Sequence, residues 1–472
     1  MNWVVLILAA VVACELFLRL PLMLTIRTAT GTAAKAQRLL RSKRISDHWK
    51  ERLLPVYAGR IAGNSLKFFL YLCIILAAVV LFGLVAPGGI AAWVAFLARP
   101  LVILVLCLLS IPYMVLRSRM AKATGGNGAG DYSALDKLLH RLALGPLAEM
   151  VHDIERGLYL KSSPEARGGA HVFVTGLARA GSTILMREIH GTGKFGSLTY
   201  ADMPFVLAPN LWAKLAPAKP GLTRSERAHG DGILVDATSP EALDEVYWRT
   251  FCGSDYIGPK GLRPHKPGPE ALSGYQDLIR LVLRRTGKTR YLSKNNNQIL
   301  RLPHLARAMS DSLFLVPIRA PLHHAQSLAH QHKRFLTANA FTRQYMTWLG
   351  HHEFGATHRP FLFGPEPQGD PMALDYWLRL WIAVHDHLGA IVAATPNALM
   401  IPHQDLCADP RIWLALCQRI GTDPAPLAEA HVSAPRDILP HDPELAAQAD
   451  RLYQSLRSAA LNRLLGEQPV WR

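Results

Sequence analysis

Residues 171–193 have the sequence HVFVTGLARAGSTILMREIHGTG, in which a short apolar run leads through a glycine-containing turn into a helical pattern. HVFVTG is rich in β-branched residues, as strands are, and STILMREIHG has the pattern of a helix that Gly191 and Gly193 end. A strand, a glycine loop and a helix in this order begin a βαβ unit. The stretch therefore predicts an α/β fold, with a P-loop-like parallel sheet flanked by helices.

Two later stretches repeat the pattern of a buried strand followed by a helix. DSLFLVPIR is an apolar run that ends at Arg319, and PLHHAQSLAHQHKRFL continues as a helix with Pro321 near its first turn. NALMIPHQDL indicates another buried strand, and DPRIWLALCQRIG begins with a helix cap at Asp409. A further helix start is predicted in SPEALDEVYW, where Ser239 stands at the cap and Glu241 near the positive helix end.

The glycine loop has the spacing of a phosphate cradle without the usual lysine. From Gly176 it follows G-x-x-x-x-G with Ser182 and Thr183 behind Gly181, whereas an ATP or GTP loop carries lysine before the hydroxyl residue. The cation inside the loop is Arg179. The next candidate strand, DSLFLVPIR, ends in arginine where a metal-binding acid would stand, which argues against a magnesium-dependent NTPase. The loop is still predicted to bind an anion, through its amides and the helix start.

GLARAGSTILMREI resembles the 5′-phosphosulfate loop of the sulfotransferases, which use 3′-phosphoadenosine 5′-phosphosulfate (PAPS) and whose loop has the pattern G-x-P-[RK]-[SG]-G-[ST]-[TS]. Ala178 and Ala180 depart from the usual proline and serine, and the loss of that serine weakens one donor position while the backbone cradle stays. The positions that match directly are Arg179, Gly181, Ser182 and Thr183. The resemblance implies a PAPS-binding loop that runs from Gly176 through Ala180 to Thr183, with no metal.

Two further segments fit the same family. Its members hold the 3′-phosphate with R-x-P-x-x-x-x-x-S, and Arg319, Pro321 and Ser327 stand at that spacing in IRAPLHHAQSLAHQ. YLSKNNNQILRLPHL resembles the family's lysine segment, which implies that Lys294 neutralises charge on the bridging oxygen as the sulfuryl group leaves. The alternative for Lys294 is a solvated surface lysine.

The general base is less well defined by the sequence. LTYADMPFVLAPNLW resembles the segment that carries the base of protein-tyrosine sulfotransferases, but the position of their glutamate is Thr199 here, which cannot accept the proton. The nearest carboxylate is Asp202, with His229 and Asp231 as rivals. Each of the three has the alternative of a loop or helix-capping residue.

The amino-terminal quarter predicts a transmembrane helical region. Half of the chain is apolar, and long apolar stretches lie at residues 3–26, 68–86 and 91–116. Glu15 and Arg19 in the first stretch are spaced to pair on one helix face, so this stretch either spans the bilayer or lies half-buried in its surface. The apolar run directly after the start differs from a cleaved signal peptide, which predicts that it is retained.

Basic residues predict the orientation and the partners. Residues 27–67 carry ten Lys and Arg against two acidic residues, and more basic residues follow the third stretch, so both flanks are predicted to face the cytoplasm. The net charge of +17 is concentrated beside membrane segments, without a basic stripe interleaved with aromatics, so the bilayer and not nucleic acid is the predicted partner. Six cysteines without C-x-x-C spacing predict neither a disulfide framework nor a zinc site.

The prediction is a multi-pass protein of the inner membrane. It comprises a membrane region at residues 1–122, a linker and helical lead-in at 123–165, and a cytoplasmic sulfotransferase domain at 166–472. The acceptor is expected to be a hydroxyl or amine of a lipid, glycan or small metabolite. The alternatives are a P-loop kinase or NTPase and a sulfotransferase-fold membrane protein that has lost its activity.

Overall fold

The computed structural model describes most of the chain outside the linkers. The described residues are 2–22, 47–103, 134–145, 147–166, 168–216, 225–226, 234–235, 238–338, 340–423 and 438–466, with isolated residues between 25 and 36 and between 105 and 113. The chain divides into two units. The apolar-helix unit comprises residues 1–127 with 132–136, and the sheet unit comprises residues 128–131 with 137–472.

The apolar-helix unit contains α1 (Asn2–Arg19), α2 (Asp47–Leu81) and α3 (Gly89–Leu97). Its core joins residues of α1, such as Leu6, to Trp93 and Phe96. The Trp93 indole donates to the Val79 carbonyl over 3.0 Å, which ties α3 to α2.

Among the described residues, two helices are long and apolar enough to cross a membrane, at Asn2–Arg19 and Leu54–Leu84. The predicted pairing within the first is confirmed, because Arg19 Nη2 lies 3.2 Å from Glu15 Oε2. The helix of the second span is described from Asp47 on, so part of the basic loop predicted for residues 27–67 belongs to the same helix. The third predicted span is interrupted where α3 ends, just before Arg99 and Pro100.

The described part of the sheet unit is built on five parallel strands, which confirms the predicted α/β class. In chain order these are β1 (Val172–Val174), β2 (Phe195–Gly196), β5 (Arg290–Lys294), β6 (Leu313–Ile318) and β7 (Ala398–Pro402). Their order across the sheet is β2-β5-β1-β6-β7. Two short strands, β3 (Ser225–Glu226) and β4 (Leu234–Val235), form a separate antiparallel pair between β2 and β5 in sequence.

Helices cover both faces of this sheet. The α-helices in chain order are α4 (Ala134–Ala143), α5 (Ala148–Tyr159), α6 (Ser182–Gly191), α7 (Pro209–Leu215), α8 (Glu245–Tyr256), α9 (Pro269–Thr286), α10 (Leu302–Ala308), α11 (Pro321–Leu336), α12 (Ala340–Trp348), α13 (Leu374–Ala394), α14 (His403–Ala408), α15 (Pro410–Ile420) and α16 (Pro443–Leu465). Short 3-10 turns occur at Phe82–Leu84, Leu160–Ser162, Tyr200–Asp202, Asn296–Leu300 and Gly355–Thr357. Alternate residues of β1 enter different cores, Phe173 on one face and Val172 with Val174 on the other. Burial on both faces explains why these strands are continuous apolar runs.

Local patterns predicted several elements correctly. The predicted helix STILMREIHG is α6, the helix that begins near Pro321 is α11, and the Asp409 side chain caps α15 by accepting from the Arg411 amide over 2.9 Å. The helix start predicted at Ser239 is wrong, because α8 begins at Glu245. Residues around Pro240 are extended instead and pair with the chain around Thr199.

Candidate functional site

The glycine loop connects β1 to α6 at the carboxyl edge of the sheet. The Thr175 amide donates to the Leu315 carbonyl over 2.9 Å, which extends the pairing of β1 with β6. Arg179 and Gly181 then turn the chain with φ of 72° and 95°, and α6 begins at Ser182. A turn of this kind before a helix start brings the loop amides and the positive end of the helix dipole to one place, as an anion site requires.

Gly181 is required by a neighbour as well as by its backbone angle. A Cβ at this position would lie 2.4 Å from Nδ1 of His403, which stands at the start of α14. Burial, together with the charge of Arg319, lowers the pKa of His403 to about 4, so its ring is neutral at physiological pH. A side chain at position 181 would therefore press against this ring.

A buried histidine holds the carbonyl side of the same loop. Trp381 Nε1 donates to His324 Nδ1 over 3.1 Å, so the ring proton of His324 lies on Nε2. That nitrogen donates to the Ala178 carbonyl over 2.7 Å. Burial keeps the pKa of His324 well below its usual value, and the neutral ring anchors the loop without adding charge.

The residues of the two predicted phosphate motifs come together here. Arg179 Nε donates to Ser327 Oγ over 3.2 Å, and Arg319 Nη1 donates to the Arg179 carbonyl over 3.4 Å. Arg319 follows β6 and Ser327 lies two turns into α11, so strand order places both beside the loop that follows β1. Burial, and then the neighbouring Arg179, lower the pKa of Arg319, although a guanidinium remains charged. Two guanidinium groups and a hydroxyl at a helix start form a site suited to phosphate.

Lys294 occupies the neighbouring strand end. It is the last residue of β5 and lies opposite Val174 of β1, and the Asn295 amide continues the pairing to the Val174 carbonyl over 2.9 Å. Its side chain is 10% exposed, and its Nζ lies 3.7 Å from Oε1 of Glu241. Lys294 is therefore a buried charge beside a carboxylate rather than a solvated surface lysine.

Glu241 is a carboxylate that the sequence analysis placed at a helix start and did not name as a candidate base. Its side chain is 11% exposed, Oε2 accepts from the Tyr200 hydroxyl over 2.8 Å and Oε1 accepts from the Ala242 amide over 2.9 Å. The Glu241 amide donates to the Leu198 carbonyl over 3.2 Å, within the extended pairing that joins Pro240 to Thr199. A glutamate thus stands beside Thr199, the position at which the sequence comparison lacked one.

Asp202, the base favoured from the sequence, is deeply involved in local structure. It is 2% exposed, its Oδ1 lies 2.8 Å from Arg285 Nε, and its Oδ2 accepts from the Thr199 amide over 2.7 Å. Burial raises the pKa of Asp202, while Arg285 and the Thr199 hydrogen bonds oppose that rise. Its assignment as the base remains a prediction, as do those of His229 and Asp231, which lie outside the described residues.

The ion pair of His351 and Glu353 lies near Glu241 and Lys294. His351 Nδ1 is 3.6 Å from Glu353 Oε1, which also accepts from the Asn296 amide group over 3.0 Å. Burial opposes the charged form of His351, but Glu353 outweighs it and raises the pKa of the ring, while Lys294 lowers it and Glu241 raises it further. The pKa of Glu353 is lowered well below its usual range by the same partner despite its burial.

Buried polar networks fix the end of β5 beneath these groups. Asp244 accepts a hydrogen bond from the Ser293 hydroxyl, and burial raises its pKa. Glu245 accepts from Arg301 over 2.9 Å and from the Asn295 side chain over 2.7 Å, and its pKa is lowered because Arg301 outweighs burial. The acids of SPEALDEVYW therefore hold Lys294 and its neighbours in position instead of capping a helix.

Comparisons with known proteins give a limited result. No protein-family model matches the chain, and no curated protein matches it. A solved sulfotransferase from Mycobacterium tuberculosis aligns over 76% of this chain and 91% of its own, with 14% identity and a TM-score of 0.38. The likeness is one of fold at low similarity, and it assigns no activity to this chain.

Proposed function

We propose that the protein is a membrane-anchored sulfotransferase, which moves a sulfuryl group from PAPS to a hydroxyl or amine of an acceptor. The observation that carries the proposal is the meeting of Arg179, Arg319 and Ser327 beside the glycine loop, with Lys294 on the adjoining strand. An ATP loop needs one cation for a single phosphate chain, whereas PAPS carries phosphates at both its 3′ and 5′ positions. A second arginine and a serine on the next strand and helix suit that additional group.

The donor set fits such a molecule. Gly176, Ala180, Gly181, Ser182 and Thr183 would hold the 5′-phosphosulfate through the loop amides and helix start. The 3′-phosphate would bind to the groups described above at the end of β6 and on α11. Bound PAPS supplies the sulfuryl group on a phosphate leaving group, and the proposal includes no metal.

Glu241 is the proposed general base in place of Asp202. Its carboxylate lies 3.7 Å from Lys294 Nζ, so an acceptor held at Glu241 stands beside the lysine that meets the leaving group. The Asp202 side chain is held by Arg285 and is 2% exposed, whereas that of Glu241 is 11% exposed, so an acceptor reaches Glu241 more readily. The Tyr200 hydroxyl donates a hydrogen bond to Glu241 and thereby holds the carboxylate in one orientation, as a general base requires.

The residues then act in a balanced transfer. Glu241 accepts the proton of the acceptor hydroxyl as the hydroxyl oxygen bonds to sulfur, and the bond from sulfur to the bridging oxygen breaks. Lys294 neutralises the negative charge that develops on the bridging oxygen. The products are the sulfated acceptor and 3′-phosphoadenosine 5′-phosphate, with the proton on Glu241 until solvent removes it.

The membrane part of the proposal rests on the exposed apolar helices. The span Leu54–Leu84 exposes apolar side chains such as Leu66, Phe69 and Leu76 on its surface. Contact of so many apolar side chains with water is unfavourable, and a lipid bilayer would cover them. We propose a multi-pass arrangement in the inner membrane, with the sheet unit in the cytoplasm on the side of the basic flanks. This position favours a lipid, a lipid-linked glycan or a small metabolite as acceptor.

Transfer of radioactive sulfur tests the proposal. Membranes containing the full-length protein are incubated with ³⁵S-labelled PAPS and a total lipid and metabolite extract, and label in the acceptors is counted. Lys294→Met is expected to abolish transfer, while the matched variant Lys266→Met, at an exposed lysine, retains it. No transfer by the unaltered protein would favour the inactive alternative, and full transfer by Lys294→Met would remove the proposed site.

A further inference from the structure

Helix α5 has an apolar face that the sheet unit does not bury. Its inner face is formed by Ala148, His152, Glu155 and Tyr159, which are all buried. Met150, Ile154 and Leu158 are 51%, 45% and 59% exposed, and their spacing of four places them side by side on another face of the helix. These three residues are the α5 stripe. Among the described helices of the sheet unit, no other exposes two large apolar side chains.

Positive charge gathers at the carboxyl end of the stripe. The exposed Lys161 follows three residues after Leu158. Lys214 Nζ and Arg284 Cζ lie 4.9 Å and 5.1 Å from the ring centroid of Tyr159, the neighbour of Leu158 on α5. Arg284 also donates to Ser162 over 3.2 Å, so this guanidinium is held at the end of the helix.

Acidic residues lie to the side of the stripe. Helical spacing places Glu149 and Asp153 about 100° to the side of the neighbouring Met150 and Ile154. Asp153 lies 3.7 Å from Arg156, so part of its charge is met within the helix. The exposed surface of α5 is thus divided into an apolar stripe with cations at one end and an acidic flank.

An apolar stripe with cations at its border has the chemistry of a surface that lies in a bilayer interface. Apolar side chains enter the boundary of the acyl chains, while Lys and Arg contact anionic headgroups. This step rests on the proposed anchoring in the membrane. Because α5 begins about 30 residues after the last apolar stretch of the N-terminal region, the helix is within reach of the bilayer surface.

We propose that the α5 stripe, with Lys161, Lys214 and Arg284, docks the sheet unit on an anionic bilayer surface. Docking would keep one face of the sheet unit in contact with the membrane, whereas without it the unit would be connected to the membrane only through the linker. It would also bring membrane-embedded acceptors to one side of the unit.

Site-specific photo-crosslinking tests the docking. The full-length protein is reconstituted into nanodiscs of phosphatidylcholine with phosphatidylglycerol, and p-benzoylphenylalanine is introduced at Ile154 or, as the matched control, at Glu149 on the acidic flank. The proposal expects lipid adducts at position 154 and few at 149. Crosslinks from position 154 to protein, whether to the same chain or to a second copy, would overturn it, as would the absence of any adduct there.

The electrostatic part is tested by removing a cation. Lys161→Ala is expected to lower the adduct yield at position 154 in anionic nanodiscs by roughly fivefold, while Lys266→Ala, at an exposed lysine beside His304, leaves it unchanged. An equal yield in all three proteins would refute the contribution of charge. Failure of the protein to elute with nanodiscs would refute the anchoring and the docking together, whereas elution without adducts refutes the docking alone. Neither result depends on sulfotransferase activity.

Discussion

Glu241→Gln separates the proposed base from a merely structural carboxylate. Glutamine keeps an oxygen that accepts from Tyr200 or from the Ala242 amide, and it has nearly the same shape, so the fold should persist. It cannot accept a proton in the reaction. Because a positioned base contributes about 10²- to 10⁴-fold, kcat is expected to fall by that factor.

The ion pair with Lys294 determines how Glu241→Gln should change the affinity for 3′-phosphoadenosine 5′-phosphate. Two opposite charges 3.7 Å apart interact by about 4 kcal/mol before solvation costs, at an effective dielectric constant of about 20. In Glu241→Gln this attraction is lost, and Lys294 becomes more available to a bound phosphate. Affinity for 3′-phosphoadenosine 5′-phosphate should therefore stay equal or increase while kcat falls.

The assay is release of 3′-phosphoadenosine 5′-phosphate from PAPS with saturating extract, measured from pH 5 to 9. Glu270→Gln, at an exposed glutamate in the first turn of α9, is the matched control and should resemble the unaltered protein. A kcat of Glu241→Gln within tenfold of the unaltered value would refute Glu241 as the base.

Three further changes test the rest of the site. Arg319→Ala should weaken binding of 3′-phosphoadenosine 5′-phosphate by about 10- to 100-fold in calorimetry, because a charged hydrogen bond is lost. Arg307→Ala, at an exposed arginine, is the control and should leave the affinity unchanged. Equal affinities of the two variants would remove Arg319 from the phosphate site. Gly181→Ala should lower the free energy of unfolding by about 2–4 kcal/mol, because the new Cβ would lie 2.4 Å from His403 and the backbone has a φ of 95°. Gly191→Ala is the control, since a Cβ there meets nothing within 4 Å. Equal stabilities of the two variants in denaturant melts would contradict the close packing. Glu353→Gln should destabilise the protein more at pH 6 than at pH 9. Because Glu353 raises the pKa of His351, the stabilisation from the protonated ring is present at pH 6, below the unfolded pKa near 6.5, and is lost as the pH rises through the higher folded value. A loss of thermal stability that is the same at pH 6 and pH 9 would exclude this pair.

The parts of the site that were predictable from sequence are those set by local pattern and strand order. Arg179 and Arg319 each follow an apolar strand, and in a parallel sheet such strand ends meet at one edge. The spacing from Arg319 to Ser327 then spans the start of a helix whose bounds could be read from Pro321 onward. These contacts needed only the periodicity of each segment and the parallel class of the sheet.

Glu241 was not predictable in the same way. Its place depends on extended pairing between Pro240 and Thr199, two segments about 40 residues apart, and no local pattern marks that pairing. Ser239, Pro240 and Glu241 have the composition of a helix start, whereas α8 begins later because Asp244 and Glu245 are drawn into networks with Ser293 and Arg301. Tertiary hydrogen bonds thus overrode a strong capping signal.

The membrane region shows the same division. Apolar length located the first two candidate spans, since it depends on composition alone. The stretch before the second span was expected to be a separate juxtamembrane segment, either a helix on the headgroup layer or a solvated connector, whereas its residues from Asp47 on, including Pro55, belong to the same helix as the span. Hydropathy marks the apolar part of a helix and says little about where the helix itself begins.

Calorimetric binding of 3′-phosphoadenosine 5′-phosphate to the full-length protein in nanodiscs, beside ATP with magnesium, tests the central claim most directly. The account predicts binding of the former that ATP with magnesium neither matches nor displaces, because Arg319 and Ser327 serve a phosphate that ATP lacks. Binding of ATP with magnesium alone would contradict the account and make the kinase or NTPase alternative the leading one.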